Sequence, residues 1–239
     1  MLTRFLRFTL LLSVVFVGWG ASTQAGGQAG KPGAWTTEFG VNKNELAASG
    51  RNPYFVLEPG YQLVLEGAGE RLTITVLDEV KTIDGVSTRV VEERETKDGQ
   101  LVEVSRNYFA INSRTLDVFY FGEDVDIYKH GKVVEHEGAW QSGVNGARFG
   151  LFVPGTPTLK ARFYQELAPK VAMDRVEVVD LARTVQTPAG EFTNCLVLKE
   201  TSPLEPLTHG YKYFVKDIGL VQDDEAKLVS HGMVAARPR

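Results

Sequence analysis

The sequence predicts an all-β protein whose strands follow one another as an antiparallel meander. Three observations predict it: two-residue turn signals ending in glycine recur, β-branched and aromatic runs separate them, and no long segment has an amphipathic helical period. A flat sheet of roughly ten such strands would leave two long edges and an uncovered apolar face. We therefore expect a curved sheet that forms an open or closed barrel, loosely lipocalin-like, with a two-layer β-sandwich as the alternative.

The strongest turn signals are Asp84-Gly85, Asp98-Gly99 and His130-Gly131. Each pair places a residue that tolerates positive φ before a glycine, as two-residue hairpins require. The runs around them predict strands at 72–83, 86–96, 101–111, 116–121, 125–128 and 133–140. A region rich in glycine and proline, 141–173, interrupts the meander, which resumes at 175–186, 192–201, 211–216 and 220–222.

The first 25 residues have the composition of a secretory signal peptide. Arg4 and Arg7 supply the positive end, an apolar stretch follows at 8–17, and the small residues Thr23 and Ala25 predict cleavage after Ala25. The apolar stretch is about ten residues long, which is too short for a membrane-spanning helix. We expect a signal peptide at 1–25, a flexible tether at 26–34 and a single β domain at 35–239. The mature protein is expected in the periplasm or outside the cell, without a stable membrane anchor.

Cysteine count and charge narrow the partners further. Cys195 is the only cysteine, so we expect neither a lipid on the export region nor an internal disulfide. The formal net charge is −4, whereas nucleic-acid binding needs a basic surface. The same acidity argues against anionic lipid as an electrostatic partner. A small molecule or lipid remains as the expected ligand.

The hairpin at His130-Gly131 is predicted to gather four carboxylates on one face. In a regular two-residue hairpin, Ile127 faces Val134, Asp126 faces Glu135 and Asp124 faces Glu137. Such a cluster stays solvated, pairs with arginine or lysine from elsewhere, or holds a hard cation such as Ca²⁺, the one cofactor considered. The predicted cation ligands are Asp124, Asp126, Glu135 and Glu137.

The glycine-punctuated loop 142–150 is the predicted ligand-contacting segment. It combines flexible backbone with flanking aromatic residues and a single cation, a combination typical of binding loops. The alternative is a surface crossover whose aromatic side chains pack onto the sheet. The loop lacks the lysine of a P-loop. The predicted ligand-binding residues are Trp140, Asn145, Arg148 and Phe149.

Other motifs indicate little chemistry. The four histidines do not have the spacing of a zinc site, and no nucleophile elbow of the form G-x-S-x-G occurs. Cys195 lies within a predicted strand, where a buried and inert thiol is the expected state. Glu166 and Asp174 flank the irregular region and are candidates for an acid/base pair.

The C-terminal hairpins resemble those of several bacterial exported families of lipocalin-like, periplasmic or envelope β-sheet proteins. The resemblance implies a curved antiparallel sheet and an exported location, and it transfers no catalytic residue. Asp217 replaces the first glycine of the last turn in the pattern. The residues that carry it are Thr187-Pro188-Ala189-Gly190-Glu191-Phe192, Cys195-Leu196, Tyr211-Lys212-Tyr213-Phe214 and Gly219-Leu220-Val221.

Three functional hypotheses follow. The first is a non-enzymatic binding protein that cups a small or lipidic ligand in a cavity lined by Tyr108, Phe119, Phe121 and Tyr213. The second is a metal-assisted hydrolytic enzyme, in which at least three of six carboxylates converge in one cleft. The six are Asp124, Asp126, Glu135, Glu137, Glu166 and Asp174. The third is a structural or assembly module of the cell envelope that uses a sheet edge or an apolar patch.

Overall fold

The computed structural model describes residues 34–234, which form an antiparallel sheet of 13 strands that nearly closes into a barrel. The predicted all-β class and the curved meander are confirmed, in the barrel form. The predicted signal peptide and residues 26–33 of the predicted tether lie outside the described residues. Within 34–234, no helix has the length and apolar character needed to cross a bilayer.

A short 3₁₀ helix, Lys43–Glu45, precedes the strands. In chain order these are β1 Leu46–Ala47, β2 Gly50–Asn52, β3 Phe55–Leu57, β4 Tyr61–Gly67, β5 Glu70–Ile83, β6 Val86–Lys97, β7 Gln100–Asn112, β8 Val118–Lys129, β9 Lys132–Glu135, β10 Trp140–Gln141, β11 Arg148–Val153, β12 Arg162–Tyr164, β13 Glu166–Leu167, β14 Arg175–Thr187, β15 Gly190–Ser202, β16 Glu205–Val215, β17 Gly219–Asp223 and β18 Ala226–Met233.

The sheet runs in the order β12-β14-β15-β16-β17-β18-β4-β5-β6-β7-β8-β11-β13. Eight of the twelve neighbouring pairs in this order are also neighbours in sequence, as expected of strands joined by hairpins. The main exception is β18, which pairs with β4 and so joins the last strand to the start of the meander. This pairing is what turns an open sheet into a barrel.

The three predicted two-residue turns are confirmed. Asp84, Asp98 and His130 have φ of 49°, 50° and 52°, and the glycine after each also has positive φ. This geometry matches the right-handed twist of the flanking strands. A fourth turn of the same kind at Ala68-Gly69 joins β4 to β5, and the sequence did not suggest it because alanine rarely adopts positive φ.

The two edge strands of the barrel, β12 and β13, are separated along the chain only by Gln165. The first pairs with β14 and the second with β11, so one short segment carries both edges of the seam. The N-terminal segment covers the free side of β12, where Thr36 exchanges backbone hydrogen bonds with Arg162 and Tyr164. The two edge strands at the seam are therefore joined covalently through Gln165 and not by a ladder of backbone hydrogen bonds.

A bulge in β8 decides which of its side chains enter the barrel. Asn107 pairs with Glu123, whereas Phe109 pairs with Tyr120, so β8 carries one more residue than β7 over this interval. Gly122 has φ of 135°, and a Cβ there would collide with the carbonyl oxygen of Trp140. Tyr120 and Glu123 consequently both face the interior.

One end of the barrel interior is filled by apolar side chains. The β2–β3 hairpin covers this end, and its Asn52 amide donates to the carbonyl oxygens of Leu116 and Val153 at 2.6 and 3.5 Å. Phe109 stacks on Tyr120 with ring centroids 4.7 Å apart, and Phe152 packs against both rings. We call this the apolar end.

The predicted aromatic lining is wrong. Tyr108, Phe119 and Phe121 belong to a second hydrophobic cluster on the other face of β7 and β8, together with Ile83 and Val90. Tyr213 alternates along β16 with the buried Lys212 and Phe214, and so points away from the interior. The interior aromatic residues on β7 and β8 are their sequence neighbours Phe109 and Tyr120, because successive side chains of a strand point to opposite faces.

Candidate functional site

The opposite end of the barrel interior is lined by carboxylates. Along β6, Glu93 and Glu95 share a face with Val91, which belongs to the interior core. Glu95 lies directly opposite Glu103 of β7, and Glu93 lies opposite Ser105. Like charges in directly opposed positions are destabilising in a sheet, so this arrangement carries an energetic cost.

The neighbouring strand β8 adds Glu123, which is only 1% exposed. It follows the bulge, lies opposite Asn107 and shares its face with the buried Val125. On the other side of the strand, Glu123 pairs in register with Trp140 of β10. A carboxylate and an indole ring thus lie next to each other inside the barrel.

The C-terminal strands contribute two more carboxylates and a lysine. Lys212 of β16 lies directly opposite Asp223 of β17, and its Nζ is 2.5 Å from Glu200 Oε2. Burial lowers the pKa of Lys212, but Glu200 and Asp223 outweigh this effect and raise it above its ordinary value. Lys212 therefore remains protonated and neutralises part of this side of the barrel.

The seam supplies Glu166 and Asp174. The backbone amides of Gln165 and Glu166 both donate to the Asp174 carbonyl oxygen, at 2.8 and 3.1 Å. This contact brings the two predicted acid/base residues together at the same end of the barrel. We call the full set the acidic cluster: Glu93, Glu95, Glu103, Glu123, Glu166, Asp174, Glu200 and Asp223.

Burial is the largest cause of the shifted acidities in the acidic cluster. It raises the pKa of Glu93, Glu103 and Asp223 to about 7. Burial and then the nearby Glu200 raise the pKa of Asp174 to about 7 as well. These four carboxyl groups therefore gain or lose a proton near neutral pH.

The same direction holds for three further members of the acidic cluster. Burial and then the nearby Glu103 raise the pKa of Glu95, and burial with Glu103 and Glu93 raises that of Glu123. Burial and Asp174 raise the pKa of Glu166. Strongly shifted carboxylates that share one enclosed space are a recognised mark of functional sites.

Four members of the acidic cluster remain in contact with solvent. Glu93, Glu95, Glu103 and Glu200 face the interior, yet each is only half-buried. This distinguishes the acidic end from the apolar end, where Phe109 and Tyr120 are almost fully buried.

Two buried polar groups at the acidic end have no hydrogen-bond partner within residues 34–234. These are both carboxylate oxygens of Glu123 and the indole nitrogen of Trp140, which is 6% exposed. The Tyr120 hydroxyl lowers the pKa of Glu123, but its single proton is donated to Asn107 Oδ1. Leaving such groups unpaired costs free energy, so they are unusual unless a ligand serves them.

The structure separates the four predicted ligand-binding residues. Trp140 lies in the interior, next to Glu123. Asn145 is exposed in a turn, and Arg148 forms an ion pair with Glu38 outside the barrel. Phe149 stacks on Phe121 in the second cluster, with centroids 4.7 Å apart. Three of the four therefore lie away from the acidic end, because the loop packs onto the sheet.

The predicted register of the acidic hairpin is wrong. Ile127 faces Glu135 rather than Val134, because a shift between Ile127 and Tyr128 follows the predicted two-residue turn. Asp124 accepts hydrogen bonds from Lys81 and Tyr108, on the outer face of the sheet.

Asp126 forms an ion pair with His136 at 2.9 Å, and Glu135 is exposed. Of the six carboxylates proposed for hydrolysis, Glu166 and Asp174 join the acidic cluster. In residues 34–234, no group of three or more histidine, cysteine, aspartate or glutamate side chains is placed to hold a metal ion. The observed register therefore differs from the regular one on which the prediction of Asp124, Asp126, Glu135 and Glu137 as cation ligands depended.

Most of the acidic cluster was not predicted from sequence. In the run Val91-Glu92-Glu93-Arg94-Glu95, both faces of the strand carry charged residues, so the alternation of side chains hides the interior face. Glu123 had a usable signal, since it shares a period-2 face with Val125 and Ile127. Comparison of the chain with protein-family models, with curated proteins and with solved structures finds no match.

Proposed function

We propose that this is an exported, non-enzymatic binding protein that holds a small ligand at the acidic end of its barrel. The observation that carries the proposal is the pair of unpartnered buried groups, Glu123 and the Trp140 indole, inside the barrel. Pockets that combine apolar walls with a few converging polar groups are the usual form of small-molecule sites.

The division of the barrel into two ends supports the same function. The apolar end supplies stability and closes the bottom of the interior, so the other end is free to carry groups that weaken folding. Natural proteins retain such unfavourable groups at functional sites and compensate elsewhere in the fold. Export is supported by the signal-peptide pattern at 1–25.

Native mass spectrometry of protein purified from its own host tests the proposal. We expect a bound mass that is absent after unfolding and refolding in ligand-free buffer, and that a chelator does not remove. Equal masses before and after refolding would contradict the proposal. Loss of the bound mass on chelation would replace the small molecule with a metal ion.

A further inference from the structure

The charge of the acidic end restricts the ligand that it accepts. Eight carboxylates line the interior, and Lys212 is the only buried lysine beside them in the described chain. An anionic ligand would be repelled, and a neutral lipid would have to leave the carboxylates desolvated without a partner. A cation is the ligand class that this lining stabilises.

The interior carboxyl groups on β6–β8 lack the ion pair that the β15–β17 side has. On the β15–β17 side, Lys212 is paired with Glu200. On the β6–β8 side, no ion pair to any described residue involves the four interior carboxylates, although the outward charged residues of the same strands form several. These four are Glu93, Glu95, Glu103 and Glu123.

The spacing of the carboxylates favours an organic cation over a metal ion. Calcium needs six to eight oxygen atoms at about 2.3–2.6 Å from one centre. Residues 34–234 contain no group of acidic or histidine side chains placed in that way. The interior carboxylates instead lie on different strands around the barrel, as suits an extended molecule with more than one charged nitrogen.

Trp140 adds a second recognition element beside Glu123. Its ring packs edge-on against Tyr120, with centroids 5.4 Å apart, and belongs to the interior core. Aromatic faces attract ammonium groups, and the alkyl chain of an amine gains contact with the same rings. From the juxtaposition of these rings with the unpaired carboxylates, we propose that the acidic end binds an organic amine, with an ammonium group paired to Glu123 beside Trp140.

This inference rests on the proposed function and names the ligand class of the same site.

A bound ammonium favours the charged form of nearby carboxylates, so it lowers their pKa and releases protons near pH 7. The groups that face the site are Glu93 and Glu95 on β6, Glu103 on β7, Glu123 on β8, Glu166 on β13, Asp174 before β14, Glu200 on β15, Lys212 on β16 and Asp223 on β17, with Glu70, Glu205 and Asp224 nearby.

Calorimetric titration with spermidine at pH 7.5 and physiological salt tests the inference. We expect saturable binding whose heat differs between phosphate and Tris buffers, because protons are released. Glu123→Gln is expected to weaken binding about tenfold or more, since it removes the charge and keeps the side-chain volume. Glu93→Gln serves as a second variant, and near-ultraviolet circular dichroism shows whether each variant is folded.

Glu191→Gln is the matched control, because it removes one charge from an exposed position that is not part of the acidic cluster. It is expected to bind spermidine like the unmodified protein, and the neutral chain 1,8-octanediol is expected not to bind. Equal affinity of the Glu123→Gln, Glu93→Gln and Glu191→Gln variants would overturn the inference, as would binding of the diol or tighter binding of Ca²⁺.

The two proposals fail in different ways. A neutral or anionic molecule retained in native mass spectrometry would overturn the amine inference and leave the binding function standing. The absence of both a retained ligand and spermidine binding would overturn both.

Discussion

At the scale of single residues, Glu123 is the most informative side chain in the barrel. It is almost fully buried, has no hydrogen-bond partner among the described residues and lies next to further carboxylates. Burial raises its pKa, so the folded protein holds a proton on Glu123 that the unfolded chain releases near pH 4.5. Glu123 therefore opposes folding at neutral and alkaline pH.

Replacing Glu123 by glutamine is expected to stabilise the protein at pH 8. The amide needs no proton to remain neutral, so the free energy of unfolding should rise by about 1–3 kcal/mol. At pH 4 the carboxyl is largely protonated in both states, and the variant should differ little from the unmodified protein. Urea unfolding at both pH values measures the difference. A variant that is less stable at pH 8 would show that Glu123 has a stabilising partner.

At the scale of elements, the bulge in β8 determines the composition of the interior. Without the extra residue, strict alternation from Tyr120 would bring Asp124 and Asp126 into the barrel and place Glu123 outside. Gly122 makes the bulge, because its φ is positive and its missing Cβ leaves room for the backbone at Trp140. The element thus places Glu123 and Trp140 together.

Gly122→Ala is expected to cost more stability than Gly131→Ala. Both glycines have positive φ, so each substitution carries the strain of that conformation, roughly 1–2 kcal/mol. A Cβ at Gly131 meets nothing within 4 Å, whereas one at Gly122 collides with the Trp140 backbone. Chemical unfolding of the two variants compares the costs. Equal losses of stability would mean that the backbone at the bulge adjusts at little energetic cost and that the bulge does not fix the register.

At the scale of the whole molecule, the barrel combines a stabilising apolar end with a destabilising acidic end. The interior core reaches strands from β3 to β18, and the acidic cluster is drawn from both halves of the chain. Because the cluster assembles only when β18 pairs with β4 and the seam segment is in place, it exists only in the closed barrel. Its titration is therefore coupled to folding.

The protein is expected to lose stability as the pH rises from about 4.5 to 7. Burial raises the pKa of Glu93, Glu103, Asp174 and Asp223 to about 7, so the folded state binds more protons than the unfolded state over this window. The fall should be at least about 1.4 kcal/mol, the equivalent of one unit of pKa difference.

Below about pH 4 the trend should reverse. Arg51 lowers the pKa of Glu58, and groups of this kind stabilise the fold only while they are ionised. Urea unfolding from pH 3.5 to 8.5 should therefore show a maximum near pH 5. Stability that rises steadily to pH 8 would mean that the acidic cluster is neutralised in the free protein.

The sequence by itself determined the features that depend on neighbouring residues. It predicted the all-β class, the order of the hairpins and the turns at Asp84-Gly85, Asp98-Gly99 and His130-Gly131, because turn chemistry and period-2 patterning act over a few residues. It also singled out Trp140, Glu166 and Asp174, although it placed Trp140 beside a ligand-contacting loop rather than next to Glu123.

Only the tertiary structure decided which carboxylates line the interior. Alternation relates side chains within one strand, but it does not say which face closes around the barrel, and each bulge resets the relation. The curvature of the sheet places Glu93, Glu95 and Glu103 in the interior, and the bulge at Gly122 places Glu123 there. The site arises from closure of the sheet, and its charge comes from residues that are far apart in the chain.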